Sequence, residues 1–112
     1  MKYRVVNDLT PFEFHDSVWK LETFEAGALA LRCGRRQVLT ARCWRRDDRL
    51  MLPDSRGERS VKRLLSERGI PPEKRETLPV FCVDGALAAV WGVGVDRSFL
   101  PETSGENLYI TM

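Results

Sequence analysis

Nine basic side chains in the middle of the chain carry most of the chemistry that this sequence offers. They are Arg42, Arg45, Arg46, Arg49, Arg56, Arg59, Lys62, Arg63 and Arg75. The planar fork of a guanidinium suits bidentate contact with phosphate oxygens. The formal net charge is only +2, but it is unevenly spread. Between Arg32 and Arg75 stand 14 Lys/Arg against 6 Asp/Glu, a local balance of +8, and the rest of the chain holds 4 against 10, a balance of −6. Such a basic block is the electrostatic footprint of a molecule that follows a nucleic-acid backbone. The same residues could instead form a solvated surface of internal ion pairs.

Other chemistries have little to work with. His15 is the single histidine, so a site built from several histidines is excluded. Beside Asp16 it reads as a loop residue. Cys33, Cys43 and Cys82 lie far apart in apolar stretches without a Cys-x-x-Cys pair, and they read as small buried hydrophobes. Asp47 and Asp48 are neighbours, expected to pair with Arg45, Arg46 or Arg49. Gly92-Val93-Gly94 lacks the third glycine and the following helix of a dinucleotide fingerprint, so strand bending is its expected use. Trp44 and Trp91 offer ring faces on which bases can stack, although core packing is the commoner use at strand positions. No catalytic residue, metal site or cofactor site is expected in this chain.

These residues need elements to place them. The chain has 112 residues, 43% hydrophobic and 30% charged, which suits one compact unit. Ser17 to Phe24 alternates and predicts a strand with Trp19 and Leu21 facing the core. Glu25 to Gly27 predicts a turn. Ala28 to Cys33 predicts a second strand, closed into a hairpin by Gly34 and Arg35 with a third strand over Gln37 to Arg45. That third strand is partly apolar on both faces, as in a sheet covered on both sides. Arg46 to Gly57 reads as an irregular stretch that Leu50, Met51 and Leu52 return briefly to the core, with Pro53 limiting any helix there.

Ser60 to Arg68 predicts the main helix, with Ser60 as N-cap and Gly69 just past its end. Val61, Leu64 and Leu65 share one face. Arg59, Lys62, Arg63 and Ser66 share the other, with three basic residues and no acid. Arg68 is expected to lie along the apolar face by its stem. Pro72 opens a short helical turn through Glu76. Val80 to Val83 and Ala86 to Trp91 predict strands joined through Asp84-Gly85, a strong hairpin signal. Gly92 to Val95 reads as a kinked continuation, Phe99 to Gly105 as a loop, and Leu108 to Thr111 as an edge strand. The expected class is α+β, mainly β: sandwich-like short strands with one main helix over about 60–68.

From Leu39 to Phe99 the sequence resembles the C-terminal domain of tRNA(Ile)-lysidine synthase. In that family a strand arginine leads to a Gly-Asp-Arg element, a glycine-containing loop, a basic helix start, a Val/Ile-Pro connector and a Pro-led strand. Here these positions read Arg42; Asp48-Arg49; Gly57; Ser60-Val61-Lys62-Arg63-Leu64-Leu65; Gly69-Ile70-Pro71-Pro72 with Arg75; and Leu78-Pro79-Val80. Trp91-Gly92-Val93-Gly94-Val95-Asp96 matches the end. Asp47 stands where the family usually has glycine.

The resemblance implies a non-catalytic tRNA-docking domain over 36–112 with a β-rich lead-in over 1–35. It implies a fold similar to the B3/B4 domain of the phenylalanyl-tRNA synthetase β subunit. The whole enzyme would be a ligase that joins lysine to the wobble cytidine of tRNA(Ile) using ATP. ATP and Mg would bind only in its catalytic domain, whose SGGxDS motif is not in this sequence. The implied partners are tRNA(Ile) near its acceptor stem and the parent's catalytic domain. A protein-interaction or homodimer role is the alternative, and it predicts an exposed apolar patch around Trp19 and Phe24. No apolar run approaches the roughly 20 residues of a membrane span, and no signal-peptide core opens the chain, so a cytoplasmic protein is expected.

Overall fold

The computed structural model describes residues 4–6, 11–15, 17–22, 29–34, 36–103 and 105–111. Its strands are β1 (Arg4–Val6), β2 (Phe12–Phe14), β3 (Ser17–Glu22), β4 (Leu29–Arg32), β5 (Leu39–Arg42), β6 (Arg49–Leu50), β7 (Arg59–Ser60), β8 (Val80–Val83), β9 (Ala86–Val90), β10 (Gly94–Val95) and β11 (Asn107–Thr111). Helix α1 spans Val61–Glu67, α2 spans Pro72–Arg75, and a 3-10 turn covers Arg97–Phe99. The expected α+β, mainly-β class holds.

Strand β8 is the centre of the molecule because its residues Val-Phe-Cys-Val are apolar on both faces, and all four are buried. It lies in a five-stranded antiparallel sheet, ordered β1-β5-β8-β9-β10. A four-stranded antiparallel sheet, ordered β2-β3-β11-β4, stacks against one face. Between the sheets lie Phe12, Phe14, Trp19, Leu21, Leu31 and Ile110 from one side and Leu39, Ala41, Phe81 and Val83 from the other. Trp19 stands edge-on to Phe81 and Trp91, with ring centroids 6.2 and 4.5 Å away. Helix α1 covers the opposite face of the five-stranded sheet, setting Val61, Leu64 and Leu65 on Val80, Cys82 and Val90. The sheet is thus covered on both sides, as the two-faced apolarity of β5 implied.

Short-range signals are realised closely. Ser60 caps α1, its hydroxyl accepting the Arg63 N–H at 3.2 Å. Gly69 takes a left-handed φ of 69° just past the helix. Asp84 and Gly85 have φ of 50° and 84° and close the β8–β9 hairpin. Leu50 is fully buried, so the irregular stretch does return to the core.

Long-range pairings differ from expectation. Strand β4 makes no hairpin with β5. It pairs with β11 in the other sheet, so the chain crosses between layers near Gly34. Strand β11 is interior, flanked by β3 and β4. The buried Ile110 fills the intersheet core from there. Gly92, with φ 84°, reverses the chain so that β10 runs back antiparallel to β9. The stretch expected to be irregular contains β6, paired with β7. Ala88 is the extra residue of a bulge, for Cys82 faces Leu87 and Phe81 faces Ala89. Two consecutive alanines thereby enter the same core. The expected turn over Glu25 to Gly27, and also Phe24 and Arg35, lie outside the described residues.

Candidate nucleic-acid interface

The end of β5, the loop after it and the start of α1 meet around one acidic residue. Asp48 is 8% exposed. Its carboxylate accepts two parallel bonds from the Arg42 guanidinium, at 2.9 Å each. It also accepts the Arg45 N–H at 2.7 Å. The Asp48 carbonyl accepts the N–H of Val61, the first residue of α1, at 2.9 Å. One residue therefore ties strand, loop and helix start together. The partner of Asp48 is Arg42 rather than Arg45, Arg46 or Arg49, because only Arg42 reaches it from inside the sheet edge. The hydrogen bond to Asp48 raises the Arg42 pKa further above its ordinary value, although burial opposes it. Arg42 is thus turned inward, its side chain 12% exposed.

Arg75 is also anchored. Its Nε donates to the Ile70 carbonyl at 2.8 Å and one terminal nitrogen to the Ser66 hydroxyl at 3.2 Å. Arg45, Arg46, Arg56 and Lys62 are exposed, Arg59 is half-buried, and none of the five forms an ion pair among the described residues. Arg49 pairs with Glu58 at 3.2 Å and Arg63 with Glu67 at 3.0 Å, all four side chains being about half exposed or more. The outer face of α1 therefore carries an acid after all: Glu67 sits one turn beyond Arg63, at the spacing that lets helix side chains meet. Exposed pairs of this sort contribute little to stability. Arg68 is exposed.

Two hollows flank the helix. One, of about 520 Å³, is lined by Trp44, Arg46, Lys62 and Arg75 together with His15, Cys43, Pro72 and Glu76. The other, of about 490 Å³, is lined by Arg49, Arg56, Arg59 and Arg63 around Gly57, Glu58 and Ser60. Seven of the nine basic residues singled out in the sequence thus line two neighbouring hollows. Of the other two, Arg45 stands exposed beside Arg46, and Arg42 is internal. The sequence reading missed the Asp48 bracket and the part that His15, Cys43, Pro72 and Glu76 play in walling the first hollow. Trp44 was its one visible signal, since a tryptophan at a strand end next to two arginines has a face left over after packing. Trp19 is 1% exposed and so adds nothing to the apolar patch expected around Trp19 and Phe24, and Phe24 lies outside the described residues.

The architecture defines a class: a two-sheet antiparallel sandwich with one helix on its outer face and a basic surface around that helix. The chain belongs to the TilS substrate C-terminal domain family, whose model matches residues 39–112. It is 41% identical over 61 residues to a tRNA(Ile)-lysidine synthase of Methylococcus capsulatus (strain Bath). That match covers 54% of this chain and 13% of the relative, so the chain spans a small part of that protein's length. The crystal structure of a TILS C-terminal domain superposes with a TM-score of 0.68, covering 98% of this chain and 97% of that one at 16% identity. That likeness shows the fold.

Proposed function

We propose that this domain docks tRNA(Ile) for a tRNA(Ile)-lysidine synthase, without taking part in the chemistry. The observation that carries this reading is the placement of Lys62 and Arg63. These consecutive residues of α1 reach into different hollows, so the helix makes one basic surface of both. Cations held by a strand end, a loop and a helix can follow an RNA backbone by shape and charge without reading bases. The parent enzyme, on this reading, binds ATP and Mg in a separate catalytic domain, joins lysine to the wobble cytidine there, and works in the cytoplasm. Its C-terminal domain supplies affinity for the body of the tRNA and leaves anticodon chemistry to the catalytic domain, whose tethering raises the effective concentration of each for the same molecule.

The test is a titration of the chain with tRNA(Ile) at low and at physiological salt, beside the triple variant Arg59→Glu, Lys62→Glu, Arg63→Glu. The expected affinity falls steeply with salt, because binding releases condensed counterions. The variant should bind about tenfold more weakly or worse at low salt. Equal binding by the variant would remove α1 from the interface, and binding insensitive to salt would reject the phosphate-contact mechanism.

A further inference from the structure

The two hollows differ in chemistry. The one walled by Arg49, Arg56, Arg59 and Arg63 has no aromatic residue, as a surface touching only phosphates would have it. The other combines an indole, three cations and a carboxylate: Trp44, Arg46, Lys62, Arg75 and Glu76. We infer that this second hollow takes one unpaired ribonucleotide at the end or edge of an RNA duplex. The inference rests on the docking reading above and specifies what that surface recognises.

Three observations carry it. The first is size: about 520 Å³ lies in the range of pockets that hold small organic ligands and suits a single nucleotide. The second is Trp44. It packs on the apolar cluster under α1 yet is only half-buried and lines the hollow. A half-buried indole that lines a hollow is a candidate stacking platform, and every base has a face to offer it. The third is the arrangement of charge. The Arg75 guanidinium is held by the Ile70 carbonyl and the Ser66 hydroxyl before any ligand arrives, so little side-chain freedom is lost when it meets a phosphate. Arg46 and Lys62 add two cations that pair with no acid among the described residues. Glu76 is exposed and would repel a phosphate, but a carboxylate accepts hydrogen bonds from ribose hydroxyls, which are what distinguish RNA from DNA. Base on Trp44, phosphate on the cations and ribose hydroxyls on Glu76 give each of Arg46, Lys62, Arg75 and Glu76 a role in the hollow.

The experiment compares the chain's affinity for a blunt RNA hairpin with its affinity for the same hairpin extended by one unpaired 3′ ribonucleotide or 3′ deoxyribonucleotide. The native chain should gain about fivefold or more from the added ribonucleotide and less from the deoxy form. Trp44→Leu keeps apolar volume against the cluster but offers no ring. It should lose that gain and keep its affinity for the blunt hairpin. Glu76→Gln, at an exposed position, should keep the gain and lose the preference for ribose. Native binding to the blunt hairpin with no gain from an added nucleotide would overturn this inference and leave the docking reading standing. A gain that survives in Trp44→Leu would place the nucleotide elsewhere and overturn it too. Failure to bind either RNA would overturn both.

Discussion

Among single residues, Asp48 shows how the basic surface is held in place. Its carboxylate is bonded to Arg42 and to the Arg45 N–H, and its carbonyl to the first N–H of α1. Removing it leaves a guanidinium with 12% side-chain exposure and no counter-charge. Asp48→Ala should therefore destabilise the fold by about 3–5 kcal/mol, measured as a lowered urea midpoint, since breaking one side of a buried pair strands the other charge. Glu58→Ala is the control: its pair with Arg49 is exposed on both sides, and the midpoint should hardly move. A second residue-scale prediction concerns Cys33, whose thiol burial pushes from 9.0 up to about 11, with Asp84 and Glu106 adding to the shift. The unfolded chain loses this proton near the ordinary value while the native chain keeps it. The contribution to stability is full below about pH 9 and is lost as pH rises through about 11. Urea midpoints measured between these pH values should fall, and less steeply in Cys33→Ala. Equal slopes would show that other groups control the alkaline limb.

At the scale of elements, what was legible in the sequence depended on the reach of the signal. Helix α1 was readable because its cap, apolar face and terminal glycine all lie within ten residues of one another: Ser60, then Val61, Leu64 and Leu65, then Gly69. The β8–β9 hairpin was readable from Asp84-Gly85, two adjacent residues that both take the positive φ of a two-residue turn. Partners chosen across the chain were not readable. Strand β4 alternates as well for a hairpin with β5 as for pairing with β11, and only the position of the intersheet core decides between them. The basic residues were found by type, but their division between two hollows needed the loop held by Asp48. Gly69 offers a clean element-scale test. A Cβ there would meet nothing within 4 Å, so only backbone strain at φ 69° opposes Gly69→Ala. The expected loss is about 1–2 kcal/mol in chemical denaturation, with affinity for tRNA unchanged in the folded protein. A loss well below that range would mean that the helix end relaxes into another conformation.

For the whole molecule, the question is what makes a self-sufficient folding unit. The family model matches residues 39–112, whereas likeness to the solved domain extends over 98% of the chain. The strand pairing explains why the longer span is the physical unit. Strand β11 lies between β3 and β4, both of which precede residue 39, and β1 is the outer neighbour of β5. Residues 1–35 and 36–112 therefore share both sheets. A fragment of 39–112 would keep α1, its cluster and most of the basic surface. It would lose Phe12, Phe14, Trp19, Leu21, Leu29, Leu31 and Cys33 from the core between the sheets. The apolar faces of Leu39, Ala41, Phe81 and Val83 would then meet water, and β11 would have no neighbour with which to satisfy its backbone groups. The loss of several large side chains, each contributing about 1.5–3 kcal/mol by burial, exceeds the total stability of an ordinary domain. We expect the full chain to unfold in one cooperative transition, and the 39–112 fragment to show no such transition and no ordered tryptophan signal in near-UV circular dichroism. Adding a separate 1–38 peptide should restore both if the two pieces can find their register. A fragment that folds cooperatively alone would show that α1 and the five-stranded sheet are independent of the second sheet, and that residues 1–35 cover the domain without completing it.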